Sequence, residues 1–137
     1  MALSDVCHDR LGDLTGSFFE YFDRYEPDEM FLYIEGMIAI RAFQVIQDTP
    51  PSLRGSVVDA QNLAAKITIS SILEECLPDA VDEVADYLAE CAKSSAIMKQ
   101  GLDQILGDIT SKKNTFKVVD DPSHKQRALR MIAIANG

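Results

Sequence analysis

Histidine and cysteine are scarce in this chain, with two of the former and three of the latter. None stands where a metal would need it. No Cys-x-x-Cys or His-Glu-x-x-His string occurs, and those spacings are what bring soft or imidazole ligands to one ion. A di-iron helical bundle needs Glu-x-x-His pairs on facing helices, and none is present. Cys7 and His8 are adjacent, so on a helix they point about 100° apart and form no pincer. No metal, cofactor or prosthetic group is expected. Cys7, Cys76 and Cys91 are odd in number and irregularly spaced, which argues against a disulfide framework and for reduced thiols in a cytoplasmic protein.

Long apolar runs are also missing. The best, residues 30–34 and 36–40, are interrupted by Glu35 and Arg41. They fall well short of the roughly 18 uncharged residues of a membrane span, so no membrane association is expected. The N-terminus carries early acidic residues and no apolar core of a secretory leader. There is no glycine-rich phosphate loop, and the string SLRGSVV has the wrong spacing for one. A Ser/His or Cys/His nucleophilic pair would have to come from distant segments. The expectation is therefore no enzymatic activity.

Acid is plentiful. The net charge of −9 is unevenly spread. From Lys112 onward six basic residues face two acidic ones, leaving −13 on residues 1–111. Lys112, Lys113, Lys117, Arg127 and Arg130 form a candidate basic contact for phosphate or a partner. The plainer expectation is that this segment folds back on the acidic body. Nucleic acid is not the expected ligand, because the body would repel it.

Helical periodicity dominates a chain of 137 residues, enough for one core without staples. A first helix is predicted from Ser4, with a stripe of Cys7, Leu11, Leu14, Phe18, Tyr21 and Tyr25. A second runs over 27–48, opened by Pro27, Asp28 and Glu29 and stopped by Pro50 and Pro51. A third covers 52–75, with stripes Leu53, Val57, Ala60, Ala64, Ile67 and Val58, Ala65, Ile69, Ile72. Its Asp59, Asn62, Lys66 and Ser70 are expected to face water. A fourth, starting at Pro78, keeps a 3-4 alternation: Val81, Val84, Leu88, Cys91, Ser95, Met98, Leu102, Ile105, Ile109. That pattern predicts one rod of about 30 residues, roughly 45 Å long, with close approach at its small middle. Residues 113–121 read as a connector. Residues 122–136 form a last helix, capped by Asp121, with Ala128, Leu129, Ile132 and Ala133 on its apolar face. The fold expected is all-α: a single domain over 1–137, a four-helix up-down bundle with a short additional C-terminal helix.

Three features bear on function. Glu35 lies in the most apolar part of the chain. Placed at 100° intervals, it falls opposite Arg41, Gln44 and Asp48, which predicts an inward carboxylate beside Phe31, Leu32, Ile38 and Ile46. Such a group needs a partner, for which Tyr21 and Lys66 are candidates, or a raised pKa. Asp23, Glu26, Asp28 and Glu29 form an acidic patch between the first two helices. Phe19 and Phe22 lie beside it, and together they make the candidate partner-binding surface.

The string PDEMFLYIEGMIAI, through Pro27, Met30, Ile34 and Glu35-Gly36, resembles the second helix of flagellin export chaperones, which are small acidic helical bundles. In that family the glycine stands one residue further from the proline. The resemblance implies a protein that binds another protein. The function expected is a non-enzymatic, acidic intracellular adaptor, export-chaperone-like protein or regulatory subunit, homodimeric through its second and fourth helices. The alternatives are a small-molecule sensor or enzyme using Glu35 in an apolar pocket, and a nucleic-acid-linked regulator acting through the basic segment or acidic mimicry.

Overall fold

A computed structural model describes residues 18–53, 55–110 and 123–137. Among them the chain is all-helical, with no strand. A helical turn ends at Tyr21. The main helices are α1 (Pro27–Asp48), α2 (Val57–Glu75), α3 (Val81–Ala92), α4 (Ala96–Thr110) and α5 (His124–Asn136). A 3-10 turn, Pro51–Leu53, precedes α2.

The helix starts follow local chemistry. Pro27 opens α1, with Asp28 and Glu29 in its first turn, where acids meet the positive end of the helix dipole. The start of α2 lies later than the sequence suggested, because Ser56 and Asp59 form a capping box. The Asp59 amide donates to Ser56 Oγ at 3.1 Å, and the Ser56 amide donates to Asp59 Oδ2 at 3.2 Å. Two amides that would otherwise lack partners are thereby satisfied.

The predicted fourth rod is two helices. Its stripe is nonetheless where it should be: Val84, Leu88, Cys91, Ser95, Met98, Leu102 and Ile105 are buried, with Val81 and Ile109 packed on the core edge. The break falls at residues 93–95. There the Lys93, Ser94 and Ser95 amides donate to Glu90, Cys91 and Ala92 carbonyls, the tighter i−3 pattern of a 3-10 turn. Ser95 then caps the new start, its Oγ accepting from the Met98 amide at 3.3 Å. The turn interrupts the helix but keeps the apolar residues in step.

The helices pack in a ring. α1 lies against α2 and α3, α2 chiefly against α1 and α4, and α5 closes the circuit between α3 and α4. α2 crosses α4 closely at Gly101. A methyl on Gly101 would sit 2.8 Å from Ala65 Cβ and 3.0 Å from its backbone carbon. Beside this crossing Lys66 Nζ pairs with Asp108 Oδ2 at 2.8 Å, with both side chains mostly buried. Lys66 is thus an inter-helix bridge. Ser70, also expected at the surface, is buried. Conversely, Val57 and Val58 are more than half exposed, because they lie in the first turn of α2.

The face of α1 differs most from expectation. Its buried residues are Met30, Ile34, Met37, Ile38, Ala42 and Gln44. Arg41 belongs to the same side at helical spacing. Burial pushes its guanidinium pKa down, while the Glu75 carboxylate works against that shift. Gln44 Nε2 donates to Asp48 Oδ1 at 2.8 Å. Leu32, predicted among the core residues, is 64% exposed. With apolar residues on almost every side, periodicity does not select the inner face of this helix. Its neighbours do.

On α5 the buried residues are His124, Ala128, Met131 and Ala135, while Leu129 is 47% exposed. The face is rotated from the predicted one, with Met131 taking the central position. The predicted cap at Asp121 and Pro122, the connector 113–121 and the first helix before Phe18 lie outside the described residues.

Candidate functional site

The chain turns sharply between Tyr21 and Pro27. Hydrogen bonds from Arg24 N and Tyr25 N to the Tyr21 carbonyl, at 2.9 and 3.1 Å, close the end of the helical turn. The rings that precede and follow this turn divide into two groups.

The first group belongs to the core. Phe18 is fully buried. Its ring stands 5.3 Å from Phe19, 5.8 Å from Phe22 and 6.0 Å from Tyr87. Phe22 meets Tyr87 edge to face at 4.6 Å, an arrangement in which a ring edge meets the electron-rich face. The Tyr87 hydroxyl donates to the Tyr25 carbonyl at 2.6 Å, tying α3 to the turn. Burial, with Cys91, Glu26 and Glu29 nearby, pushes the Tyr87 phenol well above its ordinary pKa. Phe22 is therefore engaged with α3, and Phe19 is half-buried at the cluster's edge.

The second group lies at the edge of the core, with Tyr21 and Tyr33 half-buried and Tyr25 exposed. Tyr21 stands edge to face with Tyr25 at 5.7 Å and with Tyr33 at 5.6 Å. The three rings, Glu29 and the buried Met30 line a depression of about 360 Å³. Asp23, Glu26, Asp28 and Glu29 are all exposed, so the predicted acidic patch is present at the surface. Tyr33 did not figure among the predicted site residues. Its signal was its spacing, since it stands four residues after Glu29 and so shares a face with it.

Glu35 is half-buried. Its partner is neither Tyr21 nor Lys66. Ser95 Oγ donates to Glu35 Oε2 at 2.8 Å, while the same oxygen caps α4. The carboxylate from α1 thus meets the start of α4, a place where negative charge is favoured by the helix dipole. The pairing joins residues 60 positions apart, which explains why spacing did not reveal it. Glu35 lines none of four depressions in this surface, whose walls come from other residues.

Of the predicted basic contact, Lys112, Lys113 and Lys117 lie outside the described residues. Arg127 Nε pairs with Asp82 at 3.0 Å, and Arg130 makes a two-pronged contact with Asp86 at 2.8 and 2.9 Å. Both carboxylates belong to α3, so these arginines hold α5 against an acidic helix. The Arg130 hydrogen bond holds the Asp86 carboxyl below the usual carboxylate range. Next to these pairs lies a polar depression of about 430 Å³ between α3 and α5.

The described residues contain no group of three metal-ligating side chains. No helix among them is long and apolar enough to cross a membrane. Burial pushes the Cys91 thiol up to about 12 and the Cys76 thiol to about 11, and neither is joined in a disulfide. A high thiol pKa leaves little thiolate at neutral pH and so little nucleophilicity.

A further surface feature is the outer side of α1. Leu32 is exposed, as are Gly36 and Ala39, and Phe43 is half-buried. At helical spacing these four share one face. A methyl added to Gly36 would meet nothing within 4 Å. Comparison with protein-family models, curated proteins and solved structures gives no match. The resemblance of residues 27–40 to an export-chaperone helix stands on those residues alone.

Proposed function

We propose that this protein is a non-enzymatic helical adaptor or chaperone-like regulator that binds another protein along the outward face of α1. We read its architecture as one up-down four-helix domain whose fourth rod is bent at 93–95, with α5 packed beside the bend. The observation that carries the functional reading is Leu32. It is a large aliphatic side chain, 64% exposed, on a face continued by Gly36, Ala39 and Phe43. An apolar strip of this kind gains by being covered, and the open space at Gly36 lets a second helix come close. The occupant is an amphipathic helix of a partner with basic flanks. Its charge complements the −9 chain and the carboxylates of Asp28, Glu29 and Glu35 on the same helix. The α5 arginines support this choice over nucleic acid, because Arg127 and Arg130 are already paired with carboxylates. The free thiols of Cys76 and Cys91 suit a cytoplasmic setting.

The test is affinity capture with the wild-type chain and with Leu32→Asp, beside a solution mass for each. Expected is one stoichiometric basic polypeptide that the variant loses, with the chain alone monomeric. Capture unaffected by Leu32→Asp would overturn the reading. A dimer that Leu32→Asp dissociates would replace it with homodimerisation along the same face.

A further inference from the structure

The tyrosine depression has a different chemistry from the apolar strip, and its reading stands whether or not α1 docks a partner. Tyr21 is the centre of a trio, with Tyr25 at 69° and Tyr33 at 78° to its plane. Rings set nearly at right angles wall a concave space on more than one side. Met30, 2% exposed, contributes an apolar wall, and Glu29 is the one charged residue lining the depression among the described residues. No lysine or arginine among the described residues lines it. Ring faces carry the negative part of the aromatic quadrupole. Tyrosine rings beside a carboxylate make a space that favours positive charge and disfavours phosphate or carboxylate ligands. A hard metal ion needs several oxygen ligands in its first shell, and one carboxylate does not supply them. A large, weakly hydrated organic cation loses little on leaving water and gains cation–π attraction from the ring faces it meets.

We propose that Tyr21, Tyr25, Tyr33 and Glu29 form a binding site for an alkylated ammonium group. The group is either the headgroup of a free quaternary amine or a methylated lysine side chain. Shape and charge are separable here. Choline and its uncharged carbon isostere, 3,3-dimethylbutan-1-ol, have the same outline and differ in the cation.

The experiment is an NMR titration of the full chain with each compound, following the tyrosine ring resonances. Choline is expected to shift the Tyr21, Tyr25 and Tyr33 signals saturably, with affinity about tenfold or more above that of the isostere. Tyr25 is 45% exposed, so Tyr25→Leu is compatible with the fold, as an unchanged thermal melt would verify. That variant is expected to lose about fivefold or more in choline affinity, whereas Tyr25→Phe keeps most of it. Equal affinity for choline and the isostere would overturn the proposal. So would shifts centred elsewhere, no saturable shift, or a Tyr25→Leu variant that binds as wild type. A trimethyllysine peptide titrated in parallel assigns the source. Tighter binding of the peptide than of choline points to a protein-borne group, and equal binding to a free amine.

Discussion

Two glycine-bearing helix faces contrast within this molecule. On α4, Gly101 lies where α2 comes so close that Ala65 occupies the space a methyl would need. On α1, Gly36 faces open space beside an exposed Leu32. A mid-helix glycine costs about 1 kcal/mol against alanine wherever it sits. At the α2–α4 crossing that cost is offset by close packing and by the Lys66–Asp108 bridge beside it. On the outer face of α1 nothing within the described residues offsets it. The same residue type therefore marks a finished contact in one place and an uncovered surface in the other.

Substitutions can break this comparison. The largest effect is expected from Gly101→Val, which drives a branched side chain into the Ala65 backbone. It should destabilise by about 3 kcal/mol in denaturant unfolding. A loss below about 1 kcal/mol would mean that the α2–α4 crossing is loose. Asp108→Ala strands the Lys66 ammonium in a mostly buried site and should cost about 2 kcal/mol. Replacing both partners together with apolar residues should recover much of that loss. Gly36→Ala should move stability the other way, raising it by roughly 0.5–1 kcal/mol. A destabilising Gly36→Ala would show that something covers this face in the free chain. Leu32→Ser should change stability by less than about 0.5 kcal/mol while weakening partner capture.

The thiols give a further contrast within the core. Their folded pKa values are raised, so the folded state retains protons that the unfolded state gives up. Stability from this source is intact below the ordinary thiol pKa. It is lost as pH rises through the window from about 9 toward 11 for Cys76 and 12 for Cys91. Cys91→Ala should flatten part of that alkaline decline, as thermal melts between pH 8 and pH 11 would show. Asp86 works at the other end. Its depressed pKa favours the folded state at neutral pH, and that contribution disappears on acidification through the folded value. The effect is small, because the Asp86–Arg130 pair is exposed to solvent and screened by salt.

Legibility from sequence varied with the range of the cause. The stripe from Val81 to Ile109 was readable because a 3-4 alternation is a property of neighbouring residues. The break within it was not, because Ser95 looks like any other small stripe residue until Glu35 and the Met98 amide are placed around its hydroxyl. The acidic patch at 23–29 was readable from composition. Tyr33 became part of the ring trio only when α1 folded back beside the Tyr21 turn. The inner face of α1 was misread because Phe31, Leu32 and Ile46 compete for the core on equal terms with Ile34 and Met37. Lys66 was assigned to water because its partner lies 42 residues away, on α4.

By itself, then, the sequence determined that the described residues are helical, where the helix from Pro27 to Asp48 starts and stops, and which residues of strongly periodic segments turn inward. Those properties follow from propensity, capping and spacing, which act over a few residues. The tertiary structure alone decided which side of α1 is buried, where two backbones touch, and which acid holds which donor. Each of those choices depends on what a distant segment brings to the same point in space, and no local pattern carries that information.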